Sequence, residues 1–252
     1  MTNSFETARP QVAGRSLIDL SHVIVDGMAT YPELPTPVVA THLSREASEE
    51  IYGPGTTFQI GLITLCTNTG TYLDVSFHRY ADGHDLAGLA LERVAGVPAV
   101  CFDFTGTTEI EIDPGDLVGL DGHAVLVRTD HSQYFGSDDY FHDHPYITEA
   151  TADALVSANV ACVGIDSLNI DTMEGNQRPA HTKLLRSDIP IIEHLTNLAA
   201  LPASGFEFTA VPPKITGAGT FTVRAFATLP LNTVYLQLDD DSTSSHPKTG
   251  RT

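Results

Sequence analysis

A carboxylate and an imidazole stand four residues apart, as Asp74 and His78, at the end of the stretch Cys66-Thr67-Asn68-Thr69-Gly70-Thr71-Tyr72-Leu73-Asp74-Val75-Ser76-Phe77-His78. A phenol, Tyr72, and an amide, Asn68, share their parity. Alternate side chains of extended chain point to one face, so Cys66, Asn68, Tyr72, Asp74 and His78 are expected together on one side of a strand. That is more polar chemistry than a buried strand face carries, because unpaired polar groups are costly away from water. A carboxylate can hold a cation, and an imidazole with an ordinary pKa of about 6.5 can move a proton at neutral pH. Gly70 leaves room for a ligand or another backbone to come close.

The elements that must position this stretch are legible on either side of it. The apolar run Phe58–Leu65 predicts a buried strand leading in. Ile18–Val25, Val97–Phe104, His123–Arg128 and Val160–Asp166 predict further strands. Thr148–Ala158 predicts a helix capped by Thr148, and Asp85–Val94 a short capped helix. This pattern indicates an α/β fold with a mixed sheet of many strands. Residues 1–16 are expected to be a flexible segment, 17–238 one domain, and 239–252 a disordered acidic tail. Residues 129–146 hold Asp130, His131, Asp138, Asp139, His142, Asp143 and His144, but their spacing fits no closed ligand set and predicts a solvated loop.

Composition narrows the classes. The 252 residues suffice for a sizeable core and are 42% hydrophobic. Thirteen basic residues against 32 acidic ones give a net charge of −19, which argues against nucleic acid and anionic membrane as partners. No apolar run approaches the roughly 20 residues that span a bilayer. The first residues, Met1-Thr2-Asn3-Ser4-Phe5, carry no basic region before an apolar one, so a cytoplasmic location is the expectation. Cys66, Cys101 and Cys162 are too few and too dispersed for a disulfide framework or zinc ribbon. Cys66 could be a nucleophile or ligand, with a small buried hydrophobe as the more ordinary reading. A G-x-S-x-G elbow and a P-loop are both missing. Gly217-Ala218-Gly219 precedes a strand rather than a helix and is not a dinucleotide loop.

The central stretch resembles the signature of the bacterial cyclase family, His-x-Gly-Thr-His-x-Asp-x-Pro-x-His, which includes bacterial-type kynurenine formamidase and isatin hydrolase. Gly70, Thr71, Asp74 and His78 match in register. Asn68, Tyr72 and Ser76 stand where that signature has His, His and Pro. Other blocks extend the resemblance over residues 17–229: Ile18-Asp19-Leu20-Ser21-His22 with Tyr31-Pro32; Gly164-Ile165-Asp166 through Asp171; Ala180-His181; and Ile191-Ile192-Glu193. The resemblance implies a swivelling β/β/α fold, assembly as a homodimer or homotetramer, and a small-molecule substrate.

It also implies roles. In the family the two signature histidines and the aspartate form one metal site, and the aspartate with a later histidine and glutamate forms a second. Here the first becomes Asn68, Tyr72 and Asp74, a weak set. The second survives as Asp74, His181 and Glu193, which suits one divalent ion, zinc or manganese. His78 takes the place of the proton-transfer residue, and Tyr31, with Asn68, is expected to meet the substrate. Two outcomes stay open. In one, the metal-holding set hydrolyses an amide or lactam. In the other, no metal binds and Asp74, His78 and Tyr72 act as an acid–base set suited to cyclisation, dehydration or isomerisation. A non-catalytic ligand-binding protein is the third alternative.

Overall fold

The structure, a computed structural model, describes residues 15–230. In chain order its elements are β1 (Arg15–Asp19), β2 (Val38–Leu43), α1 (Arg45–Tyr52), β3 (Ile60–Thr64), β4 (Tyr72–Asp74), β5 (Val97–Asp103), β6 (Glu109–Ile110), β7 (Ala124–Arg128), β8 (Tyr146–Ile147), α2 (Glu149–Ser157), β9 (Cys162–Ile165), α3 (Pro179–Arg186), β10 (Ile191–Glu193), β11 (Ser204–Thr209), β12 (Thr220–Thr222) and β13 (Phe226–Pro230). The expected flexible start and acidic tail lie outside the described residues, except that Arg15 and Ser16 already belong to β1.

Nine strands form one mixed sheet in the order β1-β13-β11-β5-β7-β9-β10-β4-β12. Its centre, β5-β7-β9-β10, is parallel, and its flanks are antiparallel. Parallel strands are covered on both faces and so read as continuous apolar runs. Val125 and Val127 of β7 pack with Leu155 of α2 and Leu184 of α3. The alternate residues Ala124 and Leu126 join Leu73, Ile192 and Phe208 on the opposite face. Thr148 caps α2, its hydroxyl accepting from the Thr151 N–H at 3.2 Å, as expected. Among the described residues no helix is long and apolar enough to cross a membrane.

Four expectations require correction. The run Phe58–Leu65 is not buried: β3 pairs with β2 in a separate two-stranded arm, where Leu62 is 55% and Ile63 61% exposed. An apolar run reports what would be buried, not by which surface. The first strand ends at Asp19, and only the isolated Ser21–Leu195 bridge continues it. Asp85–Val94 forms turns and a one-turn 3₁₀ segment at Leu91–Arg93 rather than a helix. Asp85 there accepts from the N–H groups of Ala87 and Gly88 and, with its other oxygen, from Gly217, which ties the turn to a distant loop.

The fourth correction concerns the central stretch. Residues 66–71 turn instead of continuing a strand, and β4 is only Tyr72–Asp74. Gly70 sits at φ 66°, and a Cβ there would press on Ile24. A left-handed turn, rather than an open face, is why glycine stands at this position.

Candidate active site

Short β4 lies between β10 and β12, and this register builds the site. Asp74 is paired across strands with Ile191 and Thr220, and Tyr72 with Glu193 and Thr222. Tyr72, Asp74 and Glu193 are buried. The Tyr72 hydroxyl donates to Glu193 Oε2 at 2.5 Å, and the Ile170 N–H donates to Glu193 Oε1 at 2.6 Å. β10 ends immediately after Glu193 because buried His194 adopts a left-handed φ of 56°, a conformation that costs a non-glycine residue free energy.

His78 reaches the site by a different route, on a one-turn 3₁₀ segment, Ser76–His78. The Val75 N–H donates to the Gly219 carbonyl at 2.8 Å, and a Cβ on Gly219 would overlap the His78 backbone. Glycine at 219 therefore serves this close approach. Thr220, the next residue, donates its hydroxyl to Asp74 Oδ1 and lies 2.8 Å from His78 Nδ1. A threonine has one hydroxyl proton. With that proton on Asp74, His78 Nδ1–H must be the donor to Thr220 Oγ1, which leaves His78 Nε2 as the basic nitrogen.

His181 comes from the first turn of α3. Asp171 accepts from the Ala180 and His181 N–H groups and from His181 Nδ1, the last at 2.7 Å. One carboxylate thus satisfies the helix N-terminus and fixes the imidazole. His181 Nε2 is left 3.7 Å from Asp74 Oδ2 and 3.8 Å from Glu193 Oε1. Burial would lower the His181 pKa, but Asp171, Asp74 and Glu193 together push it up to about 10. Burial raises Glu193 to about 7, against the attraction of His181. Burial also raises Asp74, but His181, His78 and Thr220 reverse this and hold it below the ordinary carboxylate range.

The donor set fits a divalent ion. Asp74 Oδ2 is buried without a hydrogen-bond partner. Asp74, His78 and His181 offer ligand atoms within 4.8 Å of one another. The gaps of 3.7 and 3.8 Å are too long for hydrogen bonds and close to the ~3.4 Å that separates donors across a tetrahedral ion with ~2.1 Å bonds. A carboxylate bonded to the far ring nitrogen, as Asp171 is, commonly orients a metal-binding histidine.

Of the sequence-derived residues, Asp74, His78, His181, Tyr72 and Glu193 converge. Tyr31 lies at the margin, its hydroxyl accepting from Asn169 at 2.7 Å and its ring 6.0 Å from that of His194. Asn68 stays in the turn, accepting from the Thr67 hydroxyl, and makes no hydrogen bond to the cluster. Thr220 and Asp171 went unassigned, although Asp171 ends a block that matched the cyclase family. Cys66 is not in the cluster, while Cys162 is a buried hydrophobe whose thiol burial pushes up to about 12. In the residue 129–146 loop, His131 and His144 are buried and pulled down by burial, contrary to a fully solvated loop. A cavity of about 130 Å³ lined by His78, Arg79, Asn169, Arg178 and His181 opens onto the site. A larger groove of about 670 Å³, bounded by Val23 and Pro212, holds no comparable cluster.

Residues 18–172 match the family model described as "Putative cyclase". Kynurenine formamidase of Salinibacter ruber is 30% identical over 214 residues, covering 83% of this chain and 96% of its own. That of Maricaulis maris is 30% identical over 184 residues, covering 71% and 86%. Isatin hydrolase A from Ralstonia solanacearum superimposes with a TM-score of 0.70 at 22% identity, covering 85% of this chain and 92% of its own. A likeness at that identity speaks for the fold alone.

Proposed function

The chain belongs to the cyclase family, and from that premise we propose that it is a hydrolase of C–N bonds in small amides or lactams, holding one divalent ion. The observation that carries this reading is Asp74 Oδ2, buried and unpartnered opposite an imidazole that Asp171 has already oriented. Asp74 and His181 would hold the ion, with Glu193 as third donor, and His78 stands beside them with its ligand atom within 4.8 Å of those of Asp74 and His181. Zinc or manganese suits the set. When bound, the ion supplies polarisation of the carbonyl and water of lowered pKa.

The chain's own residues do the rest. Asp171 fixes the His181 tautomer, so that Nε2 faces the two carboxylates. Thr220 restrains Asp74 through Oδ1 and His78 through Nδ1. His78 Nε2 takes a proton from the attacking water and returns it to the departing nitrogen, the ordinary task of a general acid–base. His78 is 37% exposed in its side chain while Asp74 is 1% exposed, so it can exchange that proton with solvent. Turnover of N-formylkynurenine itself is expected to be weak, because Asn68 and Tyr72 replace two strong nitrogen donors. The test is hydrolysis of a panel of aryl formamides and lactams by protein of measured metal content. Activity should fall on chelation and return with added manganese or zinc. A panel untouched with or without metal would sink the hydrolase reading.

The second reading, a metal-free cyclase, dehydratase or isomerase, is favoured by one observation. Glu193 is already satisfied by Tyr72 and Ile170. Protonated His181 would then neutralise the carboxylates, with Tyr72, Asp74 and His78 as the working groups. Elemental analysis separates the two readings.

We also propose that the chain works as a homo-oligomer joined through the β2–β3 arm. Val38, Val39, Ile60, Leu62 and Ile63 are all exposed there. A two-stranded ribbon is marginal in water without a covering surface.

A further inference from the structure

Cations are scarce in a chain with 13 basic and 32 acidic residues, and most arginines near a carboxylate are paired. Arg128 binds Asp103 and Asp130, Arg186 binds Asp82, and Arg224 binds Asp19. Arg79 and Arg178 have no ion pair among the described residues, yet both line the small cavity that His78 and His181 share. Arg178 is held without being neutralised. Its Nη1 donates to the carbonyls of Gly175 and Gln177, at 3.3 and 2.8 Å, and Nη2 lies 3.7 Å from the Met173 sulfur. Its backbone is pinned by Pro179 and by the Thr182 hydroxyl, which donates to the Arg178 carbonyl at 2.6 Å.

The remaining polar group of this wall, Asn169, is already committed. It donates to the Tyr31 hydroxyl and accepts from the Asp171 N–H. The cavity is therefore lined by an imidazole pair and by two arginines that have no ion pair among the described residues. A guanidinium offers parallel N–H donors that match a carboxylate. The repulsion of the whole chain's charge is screened beyond about 8–10 Å, so it does not prevent such a contact.

We infer that the site selects substrates bearing a carboxylate beside the scissile carbonyl, bound by Arg178 with Arg79 while His78 and His181 face the reacting group. This deepens, and rests on, the hydrolase reading, but its test does not need turnover. Benzoate and benzamide differ by one charge and serve as binding probes in calorimetry. Wild-type protein should bind benzoate about 10–100-fold more tightly, the range for hydrogen bonds to a charged group. Arg178→Gln should reduce that preference to within about threefold, Arg178→Lys should keep part of it, and Arg79→Gln should cause a smaller loss. Equal or absent binding of both probes by the wild type, or an unchanged preference in folded Arg178→Gln, would overturn the inference. Turnover of N-formylanthranilate against formanilide tells the two ideas apart. Equal turnover of both keeps the hydrolase and removes the carboxylate selection. A benzoate preference with neither compound hydrolysed keeps the selection and removes the hydrolase.

Discussion

Tyr72 and Glu193 face each other across the antiparallel β4–β10 pair, and the tyrosine hydroxyl donates to Glu193 Oε2 at 2.5 Å. A phenol therefore occupies one oxygen of Glu193, while Oε1, the oxygen nearest His181 Nε2, accepts from the Ile170 N–H. Replacing Asn68 and Tyr72 together by histidine removes the phenol and returns two imidazoles. Such a variant should hold zinc more tightly by more than the roughly 10–100-fold that orienting partners contribute, as read by competition with a chelator. A dialysed double mutant with neither ion nor formamide hydrolysis would transfer the site to its metal-free chemistry.

In both proposed chemistries His78 would carry the proton, with Thr220, 2.8 Å from its Nδ1, positioning it. His78→Ala should lower the rate about 10²–10⁴-fold with little change in melting temperature, since its side chain is partly exposed. Thr220→Val keeps the shape but frees Nδ1. It should cost about 10–100-fold and displace the pH–rate profile, a change that a purely structural threonine would not produce. Unaltered turnover in His78→Ala would remove it from the mechanism.

Why Asp74 and Tyr72 were readable in the sequence and Thr220 was not follows from where their partners lie. Alternation within a strand is local, so the shared side of Tyr72 and Asp74 could be read directly. Three of the four core strands, β5, β7 and β9, were equally plain, because strands covered on both faces cannot hide their apolar runs; their parallel pairing and β10 were not read. His78 joins the site through the close approach of Gly219, and Thr220 through the pairing of β12 with β4. Both relationships span about 140 residues, beyond the reach of any local pattern. His181 and Glu193 were reached only through the cyclase resemblance. The burial of β3 was misjudged for the converse reason: an apolar strand looks the same whether its cover is the chain's own core or another surface.

His194 makes stability depend on pH. It is fully buried, its Nε2 bonded to the Leu168 carbonyl and its Nδ1 unpartnered. Burial pulls its pKa down to about 3 against that hydrogen bond. The unfolded value is about 6.5, so between the two the unfolded chain binds more protons. The stabilisation is present in full above about pH 6.5 and is lost as pH falls toward 3. By pH 5 it has fallen by about 2 kcal/mol. Urea titrations at pH 7 and pH 5 should show this extra loss in the wild type and not in His194→Gln. Equal losses in both proteins would clear His194 of the effect.

The β2–β3 arm supplies the last prediction. Its side chains are apolar on both faces, and it pairs with no strand of the main sheet. Nothing within the described chain repays holding Leu62 and Ile63 more than half exposed. A second copy covering the arm would remove that surface from water at about 25 cal/mol per Å². Leu62→Asp with Ile63→Asp places charges where the cover would lie and leaves the nine-stranded sheet intact. Light scattering should show an oligomer for the wild type and a monomer near 27.0 kDa for the double variant, with far-UV circular dichroism unchanged. A wild-type protein that scatters as a monomer at micromolar concentration refutes the assembly. An oligomer that survives the two aspartates moves its interface elsewhere on the molecule.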